Sequence, residues 1–152
     1  MIYATSDIHG CLAPLNEALE TVGLRDGRSK LILLGDYCDR GPDSLQVYER
    51  IMRLQEEYPG QVVALRGNHE EMLLEYCDMV ADPDYARAWM LADSGLATTK
   101  SFLGAKAFGQ VVRTTGKPFR LCEKVSISPG NCLCWNNIGL NCRMPVSVAG
   151  IC

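Results

Sequence analysis

Three short apolar runs punctuate the first part of the chain: Ile2-Tyr3-Ala4-Thr5, Leu31-Ile32-Leu33-Leu34 and Val62-Val63-Ala64-Leu65. Each is too short for a helix and gives way to a polar stretch containing Gly, the pattern of a strand buried in a parallel sheet. Between the runs the period changes. Leu12, Leu15, Leu19 and Val22 recur at helical spacing, which predicts an amphipathic helix from Cys11 to Val22, with Pro14 in its first turn and Gly23 at its end. Arg25 to Lys30 reads as a polar turn. From Pro42 to Tyr58, Leu45, Tyr48, Met52 and Tyr58 interleave with Glu49, Arg50 and Glu56, a second helix capped by Asp43 or Ser44 and stopped by Pro59-Gly60. A third helix is predicted from Glu70 to Val80, and after a break at Pro83 another helical stretch passes through Ala86, Trp89 and Met90. Strands alternating with helices at intervals of about 30 residues indicate successive βαβ units and an α/β fold.

The residues just beyond each run are of the kind that hold metals and phosphates. The first run leads into Ser6-Asp7-Ile8-His9-Gly10, the second into Gly35-Asp36-Tyr37-Cys38-Asp39-Arg40-Gly41, the third into Arg66-Gly67-Asn68-His69-Glu70. Ligand sites of open α/β sheets gather at strand ends. Asp7 and His9 stand two apart, so in extended chain both point to one side and can share an ion. The middle stretch supplies two carboxylates, which can bridge cations, and a guanidinium, which can grip a phosphate bidentately. Asn68 and His69 are adjacent and point apart, which suits one ligand and one free acid or base. Asp, His and Asn together suit a hard-to-borderline divalent ion such as Mn, Fe or Zn. Any one stretch alone reads as an ordinary turn. Three at consecutive strand ends read as a metal site.

In order, spacing and wording, SDIHG, GDYCDRG and RGNHE resemble the three N-terminal motifs of phosphoprotein-phosphatase-type metallophosphoesterases, with Ser6 where that family usually has Gly. GDYCDRG followed by RGNHE is more similar to the bacterial serine/threonine protein phosphatases than to the symmetrical dinucleotide tetraphosphatases, whose third motif usually ends in Asp. Trp89, Gly95, Thr98 and Ser101 resemble a helical stretch of the bacterial members. The resemblance covers roughly residues 1 to 103. It implies a calcineurin-like β-sandwich of two sheets flanked by helices, and two divalent ions, Mn before Fe or Zn. Asp7, His9 and Asp36 would hold the first ion; Asp36, as a bridge, and Asn68 would hold the second. A metal-activated water would attack phosphorus in line, and Arg40 would bind the substrate phosphate. His69 and Asp39 form the implied catalytic pair, His69 protonating the leaving alkoxide and Asp39 orienting it. Arg66 is expected in a salt bridge supporting its loop, and Glu70 in the first helical turn, where its charge favours the helix dipole. The implied substrate is a phosphorylated protein, at phosphoserine or phosphothreonine, or a small phosphate ester. The alternatives are a symmetrical dinucleotide tetraphosphatase, a protein that binds metal and phosphate without turnover, and a truncated gene product with no independent role. Family members carry further metal-binding histidines and a second phosphate-binding Arg in their second half. His9 and His69 are the only histidines here. The expectation is therefore a truncated sandwich that binds one ion and has activity near background.

Composition alters this picture only towards the C-terminal end. At 152 residues, 47% apolar and 22% charged, the chain is ordinary for one soluble domain with a real core. A net charge of −3 gives no basis for nucleic-acid or membrane-surface binding. No apolar run approaches a membrane span, and the N-terminus enters a strand without a signal-peptide pattern, so a cytoplasmic location is expected. Residues 121 to 152 hold three charged residues (Glu123, Lys124, Arg143), no Asp, no His, five of the eight cysteines and no clean period. Residues 104–152 are accordingly read as a divergent, Cys-rich tail, out of frame or disordered. Cys132, Cys134, Cys142 and Cys152 lack the C-x-x-C pairs of a zinc knot, and disulfides are disfavoured in the cytosol. Cys11, Cys38 and Cys77 read as free thiols, and Met52, Met72, Trp89 and Met90 as core.

Overall fold

The computed structural model describes residues 1–78, 88–91 and 95–114. Three strands, β1 (Ile2–Thr5), β2 (Lys30–Leu33) and β3 (Val62–Ala64), pair in parallel in the order β1-β2-β3. Helices α1 (Leu12–Glu20) and α2 (Ser44–Glu57) are the crossovers; α3 (Asn68–Asp78) follows β3, and α4 (Gly95–Thr114) comes after a helical segment at 88–91. The α/β alternation predicted from the apolar periods is present. The described residues contain this one sheet, and the second sheet of the expected sandwich is not among them.

Register explains which face is covered. Leu31 pairs with Tyr3 and Val62, and Leu33 with Thr5 and Ala64, so these side chains share one face. Crossovers between parallel strands are right-handed, which puts α1 and α2 on the same side of a sheet with this order. Leu31, Leu33, Val62 and Ala64 are accordingly buried, under Leu15 of α1, Val47, Ile51 and Leu54 of α2, Leu73 and Tyr76 of α3, and Trp89. On the opposite face Ile2 is 68% exposed and Val63 42%.

Three boundaries differ from the periodic reading. α1 stops at Glu20, two residues before Val22, and the stretch read as a polar turn holds a short 3-10 turn at Leu24–Asp26. The reason is burial: Val22 and Leu24 both turn into the core, and Gly27, in the left-handed region, ends the turn. At α2 the N-cap residue is Asp43, but neither it nor Ser44 makes the predicted cap. Ser101 of α4 does so instead, its Oγ accepting the Leu45 N–H at 3.0 Å. α3 begins at Asn68, inside the third motif. α4 passes through residues 103 and 104 with a kink at Gly104, whose φ of 75° and ψ of 157° belong to glycine. Most of 104–152, including the five late cysteines, and residues 79–87 with Val80, Pro83 and Ala86, lie outside the described residues.

Candidate metal centre

The strands deliver their polar loops to one end of the sheet, and the loops are laced together by backbone. His9 N–H donates to the Asp36 carbonyl (2.9 Å), Gly10 N–H to Tyr37 (2.7 Å), and Gly41 N–H back to His9 (2.9 Å). The fit leaves no room for side chains at two crossings. A Cβ on Gly41 would collide with the His9 carbonyl and Gly10, and one on Gly67 with Asp36. Among the described residues, the non-glycine residues with positive φ are Asp7 (55°), His9 (45°), Asp36 (58°), Asp39 (69°) and Arg40 (62°). Each is a residue marked from sequence. The expected extended chain at Asp7 and His9 is therefore corrected: β1 ends at Thr5, and left-handed turns, not strand alternation, aim the two side chains together.

Asp7, His9 and Asp36 each offer one ligand atom, all within 4.8 Å of one another. The imidazole tautomer follows from its partner. His9 Nδ1 lies 2.8 Å from the Cys38 carbonyl, which can only accept, so Nδ1 carries a hydrogen and in the neutral ring Nε2 presents a lone pair. That Nε2 is buried without a partner, 3.6 Å from Asp7 Oδ1. A buried lone pair beside carboxylates is costly unless a cation joins them. The donor set fits a divalent ion.

The acid–base pair is assembled beside this triad. His69 lies in the first turn of α3, its ring edge-on to His9 with centroids 4.6 Å apart. Its Nδ1 sits 2.8 Å from Asp39 Oδ2, an acceptor, so Nδ1 donates and Nε2 is left free. His69 N–H donates to Asp36 Oδ1 at 3.1 Å, tying the two motifs together. Asn68, at the first position of α3, and Arg40 are both exposed. Arg66 forms the expected salt bridge, Nη2 to Glu71 Oε1 at 2.6 Å, while its Nε is buried without a partner.

Two features exceed the sequence reading. Glu70 is fully buried and does more than favour the helix dipole. Its Oε2 accepts the N–H groups of Asp36 (2.7 Å) and Gly67 (2.9 Å), and its Oε1 accepts the Tyr37 N–H (2.8 Å) and the Tyr48 hydroxyl (3.1 Å). One carboxylate thus clamps the second loop to the third. The other feature is Trp89, buried as expected for core, yet donating Nε1–H to Asp39 Oδ2 at 3.1 Å. Spacing alone could not reveal either, since apart from Glu70–Gly67 these bonds join residues distant in sequence. The neighbourhood also silences its own hydroxyls and thiol. Burial first, then the Asp39 and Glu70 carboxylates, push the Cys38 thiol up; burial, with Glu70 adding to it, pushes up the Tyr37 and Tyr48 phenols.

A family model described as calcineurin-like phosphoesterase matches residues 1–140. The chain belongs to this family. Curated relatives match less than half of the chain. A symmetrical bis(5'-nucleosyl)-tetraphosphatase of Azotobacter vinelandii is 40% identical over 73 residues, 48% of this chain and 25% of the relative. The serine/threonine-protein phosphatase SIT4 of Candida albicans is 42% identical over 67 residues, 42% of this chain and 21% of the relative. The serine/threonine-protein phosphatase 6 catalytic subunit of Drosophila melanogaster is 39% identical over 64 residues, again 42% of this chain and 21% of the relative. The matched part thus spans a quarter or less of these proteins. The family match itself continues past residue 103, where the motif resemblance ends. No described helix is long and apolar enough to cross a membrane.

Proposed function

We propose that this chain is a metal-dependent phosphoesterase that cleaves phosphate monoesters, with serine/threonine protein phosphatase chemistry. The observation that carries the reading is the buried His9 Nε2, without a hydrogen-bond partner and within 4.8 Å of ligand atoms of Asp7 and Asp36, with a hydrogen-bonded His69–Asp39 pair alongside. Asp7, His9 and Asp36 would hold one divalent ion, and Asp36 with Asn68 would hold a second more loosely, Mn being preferred over Fe or Zn. Such ions, when bound, polarise the phosphate and activate a water. Arg40, exposed at the loop tip, grips the phosphate oxygens and meets charge as it builds on them. His69, its Nδ1–H held by Asp39, would in its imidazolium form give the Nε2 proton to the leaving alkoxide and return to the neutral Nδ1–H tautomer.

The tetraphosphatase relative favours a second reading, hydrolysis of a dinucleoside tetraphosphate, since it matches as well as the protein phosphatases do. One assay series decides. The full chain with added Mn is given p-nitrophenyl phosphate, a phosphoserine peptide and diadenosine tetraphosphate, with Asp36→Asn and a chelated sample as controls. The account expects slow release from the two monoesters, above both controls. Cleavage of the tetraphosphate alone supports the second reading. Release from none of the three defeats both.

A further inference from the structure

We propose that Trp89 and Thr98 are positioning residues that set Asp39, and through it the orientation of His69; the inference rests on the acid role given to His69 above. Asp39 is fully buried, on a turn whose φ of 69° suits it poorly. Three residues meet it. His69 Nδ1 and Trp89 Nε1 both reach Oδ2, at 2.8 and 3.1 Å. Thr98 Oγ1 donates to Oδ1 at 2.6 Å and accepts the Asp39 N–H at 2.8 Å. Ser44 Oγ lies 3.2 Å from the same Thr98 oxygen. A hydroxyl has one hydrogen and two acceptor sites. With its hydrogen given to Oδ1, Thr98 must accept from both Asp39 N and Ser44, and its capacity is filled. The threonine thus fixes the backbone and the carboxylate of Asp39 at once.

The indole is held as firmly. Trp89 is 1% exposed and packs on Tyr76 with ring centroids 4.6 Å apart. Its other flank lies against Gly95, where an added Cβ would come 2.5 to 2.7 Å from three ring atoms. A carboxylate approached by Trp89 on one oxygen and Thr98 on the other cannot rotate without breaking a bond. Its remaining acceptor direction on Oδ2 is what fixes the plane of His69. The start of α4 and the segment before it therefore serve the site through Asp39.

The test uses the full chain and four variants, Trp89→Phe, Thr98→Val, Thr98→Ser and Gly95→Ala. Because His9 and His69 are the only histidines, nitrogen-15 histidine spectra, recorded without paramagnetic metal, report two rings. The expected result is a single Nδ1–H tautomer at His69 in the starting protein and in Thr98→Ser. Mixed tautomers or a lost Nδ1–H signal at His69 are expected in the other three, with His9 unmoved. With Mn added, Trp89→Phe and Thr98→Val should slow phenyl phosphate hydrolysis about ten-fold while leaving p-nitrophenyl phosphate within about two-fold, since a good leaving group needs little proton. His69 signals unchanged in both Trp89→Phe and Thr98→Val would overturn the assignment. So would His9 signals lost together with those of His69, which indicates a role in folding alone. If the starting protein hydrolyses neither ester, the phosphoesterase reading fails, and the spectra still judge the positioning.

Discussion

Asp7, His9, Asp36, Asp39 and Arg40 all hold backbone conformations that side chains disfavour, and strain of this kind gathers at functional sites. Asp7 is the clearest case for separating strain from use. Its carboxylate is 65% exposed and, among the described residues, accepts a hydrogen bond from the neighbouring Ser6 hydroxyl and lies 3.6 Å from His9 Nε2, so the fold gains little from it. Glycine adopts its φ freely. Asp7→Gly should therefore raise the stability of the metal-free chain by about 1 kcal/mol in urea unfolding while weakening metal binding. A loss of stability would show that the loop needs the aspartate for its own sake. A second prediction concerns alkali. Cys38, Tyr37 and Tyr48 are held neutral in the folded chain, whereas unfolded they ionise at about 8.5 for the thiol and about 10 for the phenols. Above those values the unfolded chain sheds protons that the native one keeps, so stability falls as pH rises. The slope approaches about 1.4 kcal/mol per pH unit for each group ionised. Urea midpoints from pH 7 to 10 should decline from about pH 8.5 onwards, and a flat profile would contradict the burial of these groups.

At the scale of elements, the chain advertises its strands and hides its clamps. The apolar runs at Ile2, Leu31 and Val62 and the helical periods of α1 and α2 were legible because a half-buried helix and a buried strand must repeat. The three motifs were legible because metal-capable side chains in turns are rare in combination. What the sequence could not convey is contact between distant segments. The Ser101 hydroxyl caps α2 from α4, Trp89 reaches Asp39 from 50 residues away, and Glu70 gathers N–H groups from two loops. Turn geometry at Asp7 and His9 was likewise invisible, since alternation along an extended strand predicts the same convergence. Glu70 gives the sharpest test at this level. Glu70→Gln replaces one acceptor oxygen with a donor facing N–H groups, which should cost about 3 kcal/mol by urea denaturation, the scale of losing charged hydrogen bonds and leaving buried donors unsatisfied. A change below about 1 kcal/mol would mean that the two loops hold together without it.

For the molecule as a whole, the fold explains why the site lies where it does. A parallel sheet ends all its strands in one direction, so three sequence-distant loops meet at one end, with α1 and α2 covering one face. Every residue assigned to metal, phosphate or proton transfer lies between Asp7 and His69. The central claim is that these loops build a metal site around Asp7, His9 and Asp36, with Asp36 shared by a weaker second position. Calorimetric titration of the full chain with Mn, beside Asp36→Asn, tests it most directly. The account predicts about one ion per chain at modest metal concentration, with binding weakened at least about ten-fold in Asp36→Asn. Equal affinity in the two proteins, or no binding in either, would contradict it.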